Sequence, residues 1–296
     1  MKILITGSNG LLGQKLIAQL KKSNIEFLAT SQGENRNPDC PVINYESLDI
    51  TNKLQVQEVV NNFLPNVIIH TAAMTNVDAC EKDPENCKKI NVYGTKHLFE
   101  AAIELNAQFI SLSTDFVFDG ENGPYKEDDK RNPLSVYAQS KVDAEDLLLK
   151  SEYKNWNIVR TIIVFGKGHN LSRSNIVLWA YDALKKGDPL NIVDDQYRAP
   201  TWADDLAWAC IKMATSKKTG IFHICGPKTY SIYELVLAIG THYNLPTNQI
   251  NKTSSNSLNQ AAKRPPKTGF ILDKAREELG YNPLKLEQSL DALNLD

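Results

Sequence analysis

Tyr137 and Lys141 stand four residues apart in Pro133-Leu134-Ser135-Val136-Tyr137-Ala138-Gln139-Ser140-Lys141-Val142-Asp143-Ala144-Glu145, a run of good helix formers without interior glycine or proline. On a helix that spacing puts both side chains on one face, about 6 Å apart along the axis. A free phenol, with a pKa of about 10, exchanges protons poorly at neutral pH. An ammonium beside it favours the phenolate, so the pair is expected to draw the phenol toward the working range. The same spacing also occurs on exposed helices without function. The pair therefore acquires meaning only if the chain also supplies a cofactor and a substrate group that needs a proton.

The first element able to hold a cofactor opens the chain. Ile3-Leu4-Ile5 reads as a buried strand and Gly7-Ser8-Asn9-Gly10-Leu11-Leu12-Gly13 as a glycine turn. Leu11, Leu12, Leu16, Ile17 and Leu20 then recur at helical spacing. Strand, glycine turn and helix form a dinucleotide-binding context, although the spacing is GxxGxxG rather than GxGxxG. Gly7 permits the tight turn, Gly10 lets the backbone approach a pyrophosphate, and Gly13 allows the helix to pack closely. The pyrophosphate is expected at the positive end of the helix.

The next strand, Glu26-Phe27-Leu28-Ala29-Thr30, ends without the carboxylate that would hold the ribose 2′-hydroxyl of NAD. Ser31, Gln32 and Arg36 follow instead, and hydroxyl, amide and guanidinium groups suit a 2′-phosphate. This predicts NADPH as the cofactor. Glu34 is the acid that would serve the alternative, NADH.

Strands and helices continue to alternate. A helix is expected over about 53–63, a strand at Val67-Ile68-Ile69, a helix from Pro84 to Ala102 and a strand at Phe109-Ile110-Ser111-Leu112-Ser113. The helix carrying Tyr137 and Lys141 comes next, then a strand over 157–164. This pattern predicts an α/β fold, a Rossmann-type doubly wound parallel sheet with ligand at the carboxyl ends of its strands. Gly7, Ser31, Thr71 and Thr114 would share that edge.

After Gly166 the alternation becomes irregular. Helices are expected near 174–186, 201–215, 231–243 and 273–280, with short strands at 190–193 and 221–224, and Thr253 to Lys263 shows no period. Residues 1–165 are read as the nucleotide-binding domain and 166–296 as a smaller α/β substrate lobe, interleaved without a linker.

Composition limits the partners. A net charge of −2 with 23% charged residues favours neither nucleic acid nor an anionic membrane. No apolar run is long enough to span a bilayer. Five cysteines, none spaced as CxxC, argue against a disulfide framework or structural zinc. A cytoplasmic protein acting as monomer or homodimer is expected.

With Gly7-x-x-Gly10-x-x-Gly13 preceding Tyr137-x-x-x-Lys141, the chain resembles the extended short-chain dehydrogenase/reductases. Ser113-Thr114-Asp115-Phe116-Val117-Phe118-Asp119-Gly120 narrows this, since it is similar to the signature of dTDP-4-dehydrorhamnose reductases. Thr75-x-Val77-Asp78, the run Asp195 to Thr201 and Arg264-Pro265 extend the resemblance along nearly the whole chain. It implies reduction of a nucleotide-linked 4-keto-6-deoxy sugar, with Tyr137 giving the proton and Lys141 lowering its pKa and holding the nicotinamide ribose. It further implies that Thr114 hydrogen-bonds the substrate oxygen beside Asp115, and that Gly7, Asn9, Gly10, Leu11, Leu12, Asp49, Ile50, Ala72, Ala73 and Thr75 line the nucleotide. Thr75, Val77, Ile163 and Arg198 complete the expected substrate contacts; the charges of Arg198 and Arg264 suit either a nucleotide diphosphate or surface ion pairs.

Two positions depart from the family pattern. Ile163 stands where these reductases carry a tryptophan against the sugar. Lys15 stands where some members hold Mg²⁺ with a glutamate, and an ammonium cannot coordinate a cation, so no metal is expected. The alternatives are a nucleotide-sugar epimerase and a non-catalytic NADP-binding subunit like the methionine adenosyltransferase beta subunit.

Overall fold

The computed structural model describes residues 1–258 and 260–295. Asn259, within the stretch without a period, and Asp296 lie outside the described residues. In chain order the first half runs β1 (Lys2–Thr6), α1 (Leu11–Leu20), β2 (Glu26–Ser31), β3 (Tyr45–Ser47), α2 (Lys53–Phe63), β4 (Val67–His70), α3 (Val77–Lys82), α4 (Pro84–Lys88), α5 (Thr95–Glu104), β5 (Gln108–Thr114) and α6 (Val136–Leu149). Then come β6 (Trp156–Thr161), β7 (Val164–Phe165), α7 (Ile176–Lys186), β8 (Leu190–Val193), β9 (Tyr197–Arg198), β10 (Thr201–Trp202) and α8 (Ala203–Ser216). The chain ends with β11 (Gly220–Ile224), β12 (Tyr230–Ser231), α9 (Ile232–His242), β13 (Ile250–Thr253), α10 (Asp273–Leu279) and α11 (Leu286–Leu293).

Seven parallel strands form the central sheet in the order β11-β6-β5-β4-β1-β2-β3. The order reverses between β1 and β4, so the loops leaving those strands diverge and open a crevice at their carboxyl ends. Why these runs become strands is visible in where alternate residues go. Ile3 and Ile5 join one apolar layer with α1, α8 and α10, while Leu4 joins the opposite layer with α2, α5 and α6. Ile69 and Ile68, Ile110 and Phe109, and Val159 and Ile158 divide the same way. A near-continuous apolar run is what a strand covered on both faces requires. A third apolar cluster unites α7, α9, α11, β8 and β13 beside the sheet.

Two local departures from the expected elements bear on the site. The helix expected from Pro84 to Ala102 is interrupted by a π-helical segment, Lys89–Gly94, which turns Asn91 inward. The strand expected through Val164 stops at Thr161, because Ile163 adopts a φ of 35° before β7 pairs with β10. That is the left-handed region, strained for a β-branched side chain. Two helices, α3 and α11, carried too short a pattern to be anticipated. Of the four tryptophans, Trp156 and Trp202 are buried, whereas Trp179 and Trp208 are 44% and 39% exposed. Among the described residues no helix is long and apolar enough to cross a membrane.

Helix α6 is fixed to the sheet by a buried ion pair. Arg160 of β6 donates from Nε to Glu145 Oε1 at 2.9 Å and from Nη2 to Oε2 at 2.8 Å. Ser113 of β5 donates to the same carboxylate at 2.6 Å, and Arg131 reaches it at 3.1 Å. Arg160 and Glu145 side chains are 1% and 2% exposed. Removing one partner leaves the other charged and desolvated, so Arg160→Met is expected to cost about 3–5 kcal/mol. Urea unfolding followed by far-UV circular dichroism checks this; a loss below about 1 kcal/mol would mean the pair does not anchor α6.

Candidate functional site

The crevice is a cavity of about 930 Å³ running along the carboxyl ends of β1, β2, β4 and β5 to the N-terminal half of α6. At one end is the glycine turn. Gly7 has a φ of 72°, and a Cβ there would stand 2.6 Å from the Ala72 nitrogen. A Cβ at Gly13 would meet Ser8 Cα at 2.5 Å, so α1 can sit this close to the turn only with glycine. Gly10 precedes α1 without a side-chain cap or an acidic first turn, leaving its first amides available. These features fit a dinucleotide diphosphate: a cradle that side chains would fill, beside the positive end of a helix.

Gly7, Asn9, Gly10, Leu11, Leu12, Ser31, Arg36, Asp49, Ile50, Ala72, Ala73 and Thr75, all anticipated from the sequence, line this cavity. Asn9 holds the following loop in place, donating to the Glu34 carbonyl at 2.8 Å and accepting from the Arg36 amide at 2.8 Å. The Glu34 side chain is exposed and Arg36 faces the cavity, so the cation rather than the acid stands at this end. Asp49 is oriented by Thr51, whose amide and hydroxyl both donate to Oδ1, at 2.9 and 2.8 Å.

At the other end Thr114, Asp115, Tyr137, Lys141 and Ile163 share the cavity wall. Ser135 caps α6 by accepting from the Ala138 amide at 3.2 Å, and Tyr137 and Lys141 project from its buried face. The Thr114 hydroxyl donates to Asp115 Oδ1 at 3.1 Å and lies near enough to the Tyr137 phenol to oppose the rise of its pKa. Sequence spacing led to the expectation that the ammonium would bring the phenol's pKa down. Here burial outweighs every other influence and pushes the phenol well above its ordinary value, with Asp115 adding to the rise while Thr114 and Arg173 oppose it. Burial also pulls Lys141 down to about 8, against the opposing charge of Glu145. At neutral pH the pair is therefore a protonated phenol beside a mostly charged amine.

Two expected substrate contacts do not reach the cavity. Arg198 is 2% exposed; its Nε lies 3.6 Å from Asp115 Oδ2, and its other nitrogens donate to the carbonyls of Tyr197, Pro265 and Pro266. Val77 packs beside Cys80, Cys87 and Tyr137. Arg264 is bound to Asp78 at 2.7 Å, which explains the two separate motif matches as halves of one ion pair. Asp115 also accepts from Thr268 in a short hydrogen bond. The segment 262–268 is thus tied to the site from both sides.

His70 is structural. The Thr95 hydroxyl donates to the Asn91 carbonyl, so it accepts from Nε2–H of the imidazole at 3.0 Å, and Nδ1 accepts from Thr6 at 2.7 Å. Burial, then the Lys141 charge, lowers its pKa to about 3 and keeps the ring neutral.

Sequence reasoning missed Asn91 and Arg173. Asn91 accepts from the Met74 amide at 2.8 Å and donates to Ser140 Oγ at 2.9 Å, linking the loop after β4 to α6 between Tyr137 and Lys141. Its orientation depends on the π-helical segment, for which the sequence carries no signal. Arg173 lies in an aperiodic loop and lines the cavity opposite Thr75.

A family model described as the RmlD substrate binding domain matches residues 1–294. A dTDP-4-dehydrorhamnose reductase of Aggregatibacter actinomycetemcomitans is 34% identical over 98% of this chain and 97% of its own length. Methionine adenosyltransferase 2 subunit beta of Xenopus laevis is 29% identical over 84% of this chain and 74% of its own. The crystal structure of a dTDP-4-dehydrorhamnose reductase from Bacillus anthracis in complex with NADP superposes with a TM-score of 0.84 at 28% identity, covering 99% of this chain and 98% of the other.

The electrostatics of Lys141 give a testable sign. Its folded pKa of about 8 lies below the unfolded value of about 10.4, so between these pH values the unfolded chain binds more protons and stability from this group rises with pH. Lys141→Met removes the cost of the buried charge. The variant is expected to be more stable than the parent by up to about 3 kcal/mol near pH 7, with the advantage shrinking between pH 8 and 10.5. Paired denaturant titrations across that range measure it; an advantage that grows with pH contradicts the assignment.

Proposed function

Because the chain belongs to the dTDP-4-dehydrorhamnose reductase family and is an NAD(P)-dependent oxidoreductase of that type, we propose that it reduces dTDP-4-dehydrorhamnose to dTDP-rhamnose with NADPH. The observation that carries this reading is the convergence of Thr114, Tyr137 and Lys141 on the cavity that also contains the Gly7–Gly13 turn.

NADPH, when bound, supplies the hydride. In this reading the turn and the first amides of α1 hold its diphosphate, with Ser31 and Arg36 at the 2′-phosphate and Asp49 and Ile50 at the adenosine wall. Ala72, Ala73 and Thr75 border the nicotinamide half. Tyr137 donates its proton to the sugar oxygen as that oxygen gains charge, and Thr114 turns its hydroxyl proton from Asp115 to supply a second hydrogen bond to it. The Lys141 ammonium stabilises the phenolate left behind and orients the nicotinamide ribose. Asp115 acts through others, positioning Thr114 and balancing Arg198. Ile163 offers the sugar a small aliphatic wall, its strained backbone directing the side chain into the cleft.

A second reading rests on the Xenopus relative, which is a subunit of an adenosyltransferase. A non-catalytic partner of that kind would bind NADP(H) without sugar-dependent turnover. The two readings separate on one assay, NADPH oxidation in the presence and absence of dTDP-4-dehydrorhamnose.

Turnover is expected with that sugar, and Tyr137→Phe is expected to lower kcat by about 10²–10⁴-fold with NADPH binding retained. Undiminished turnover in the variant refutes the proton-donor role, and no turnover in the parent protein favours the subunit reading. Arg36→Ala is expected to weaken NADPH about 10-fold and to leave NADH nearly unchanged, since only the former carries the 2′-phosphate. Fluorescence titration with both cofactors measures this, and equal weakening of the two would place Arg36 elsewhere.

A further inference from the structure

A nucleotide-linked sugar brings a diphosphate into the cleft, and two anionic oxygens require a cation there. The cationic side chains among the described residues lining the cavity are Arg36, Lys141 and Arg173. Arg36 stands at the far end beside Ser31, and Lys141 lies buried on α6 behind the reacting oxygen. The two arginines whose sequence reading left a diphosphate open have protein partners: Arg198 is held by Asp115 and three carbonyls, and Arg264 by Asp78.

Arg173 is placed differently. It belongs to the loop joining β7 to α7, and its Nη2 donates to Thr75 Oγ1 at 2.8 Å, crossing the mouth of the cleft to the loop after β4. The loop is anchored on both sides of it. Gln14 of α1 donates to the His169 carbonyl and accepts from the His169 amide, both at 2.7 Å, and Asn175 donates to the Gly166 carbonyl at 2.8 Å. The guanidinium is exposed, so it loses little hydration on meeting a ligand. Its charge is felt at the Tyr137 phenol, which puts it within electrostatic reach of the reacting end.

We propose that Arg173 binds the diphosphate of the nucleotide-sugar substrate, exchanging its hydrogen bond to Thr75 for a pair of charge-assisted bonds to phosphoryl oxygens. This rests on the nucleotide-sugar reading above. The planar fork of a guanidinium matches two phosphoryl oxygens, which a single hydroxyl partner does not use. The exchange also frees the Thr75 hydroxyl at the point where substrate and cofactor halves of the cleft meet.

The test is calorimetric titration of the NADPH-loaded protein with thymidine diphosphate and with thymidine, in the parent chain, Arg173→Gln and Arg173→Lys. Arg173→Gln is expected to weaken thymidine diphosphate by about 10–100-fold and thymidine by less than about 2-fold, with Arg173→Lys between. Unchanged affinity for thymidine diphosphate in Arg173→Gln, or equal weakening of both ligands, overturns the inference. A parent protein that binds NADPH but neither thymidine, uridine nor guanosine diphosphate overturns the nucleotide-sugar reading and the inference with it. That outcome is distinct, because it is seen before any variant is made.

Discussion

The carboxylate of Glu145 holds the site together. It lies one and two helical turns beyond Lys141 and Tyr137 on the same buried face of α6. It receives hydrogen bonds from Ser113 of β5 and Arg160 of β6, and from Arg131 of the loop before the helix. A helix packed on a sheet by apolar contacts alone can rotate or slide with little loss, because dispersion is not directional. A carboxylate with fixed donors on two strands cannot. Because Ser113 immediately precedes Thr114, the bond that sets the position of α6 also sets the distance between the Thr114 hydroxyl and the Tyr137 phenol. The same negative charge raises the pKa of Lys141 against the pull of burial, so the anchor also keeps the amine mostly charged near neutral pH.

Around that anchor the second half of the chain closes the site with polar contacts that pass for ligand contacts when only the sequence is read. Asp78 with Arg264, and Asp115 with Arg198 and Thr268, tie the segment 262–268 to α3 and to the end of β5. These residues include several of those by which the family resemblance is recognised. Their work here is to bring a distant stretch of chain against the cleft, and the exposed cation at the cavity wall, Arg173, comes from an aperiodic loop. Strand β11 and helices α8 and α10 also belong to the sheet and to its covering layer. The second half therefore supplies part of the nucleotide-side framework as well as the cluster beside it.

How much could be read in advance follows from which physics is local. Strands β1, β4, β5 and β6 were legible because both-face burial writes itself as short apolar runs, and α1 and α6 because helical spacing survives in the order of residues. Gly7, Gly10 and Gly13 were legible because close backbone approach excludes side chains whatever the surroundings. The π-helical turn that aims Asn91 was not, since it depends on the packing of α4 and α5 against α6 and the loop after β4. The left-handed backbone at Ile163 was not either, since it precedes the pairing of β7 with β10, whose partner Thr201 lies far along the chain from Val164. For Arg198 a ligand and an ion pair stayed equally open, because a sequence names charges without saying which of them face a buried carboxylate.

The pKa of Tyr137 shows the same limit and carries a mechanistic consequence. A lysine four residues on identifies a partner that favours the phenolate, but burial is a sum over the whole fold and here it is the larger influence. The free site therefore rests with the proton on tyrosine. That is the state required to protonate an oxygen whose carbon has just received hydride, and the wrong state to remove a proton from an alcohol. Giving up that proton creates a phenolate in a low-dielectric pocket beside Asp115, where Thr114 and Arg173 lower its cost and Lys141 stands one turn away. The burial that fixes the geometry of Thr114, Tyr137 and Lys141 thus also makes the neighbouring ammonium necessary, because proton transfer in either direction passes through that phenolate.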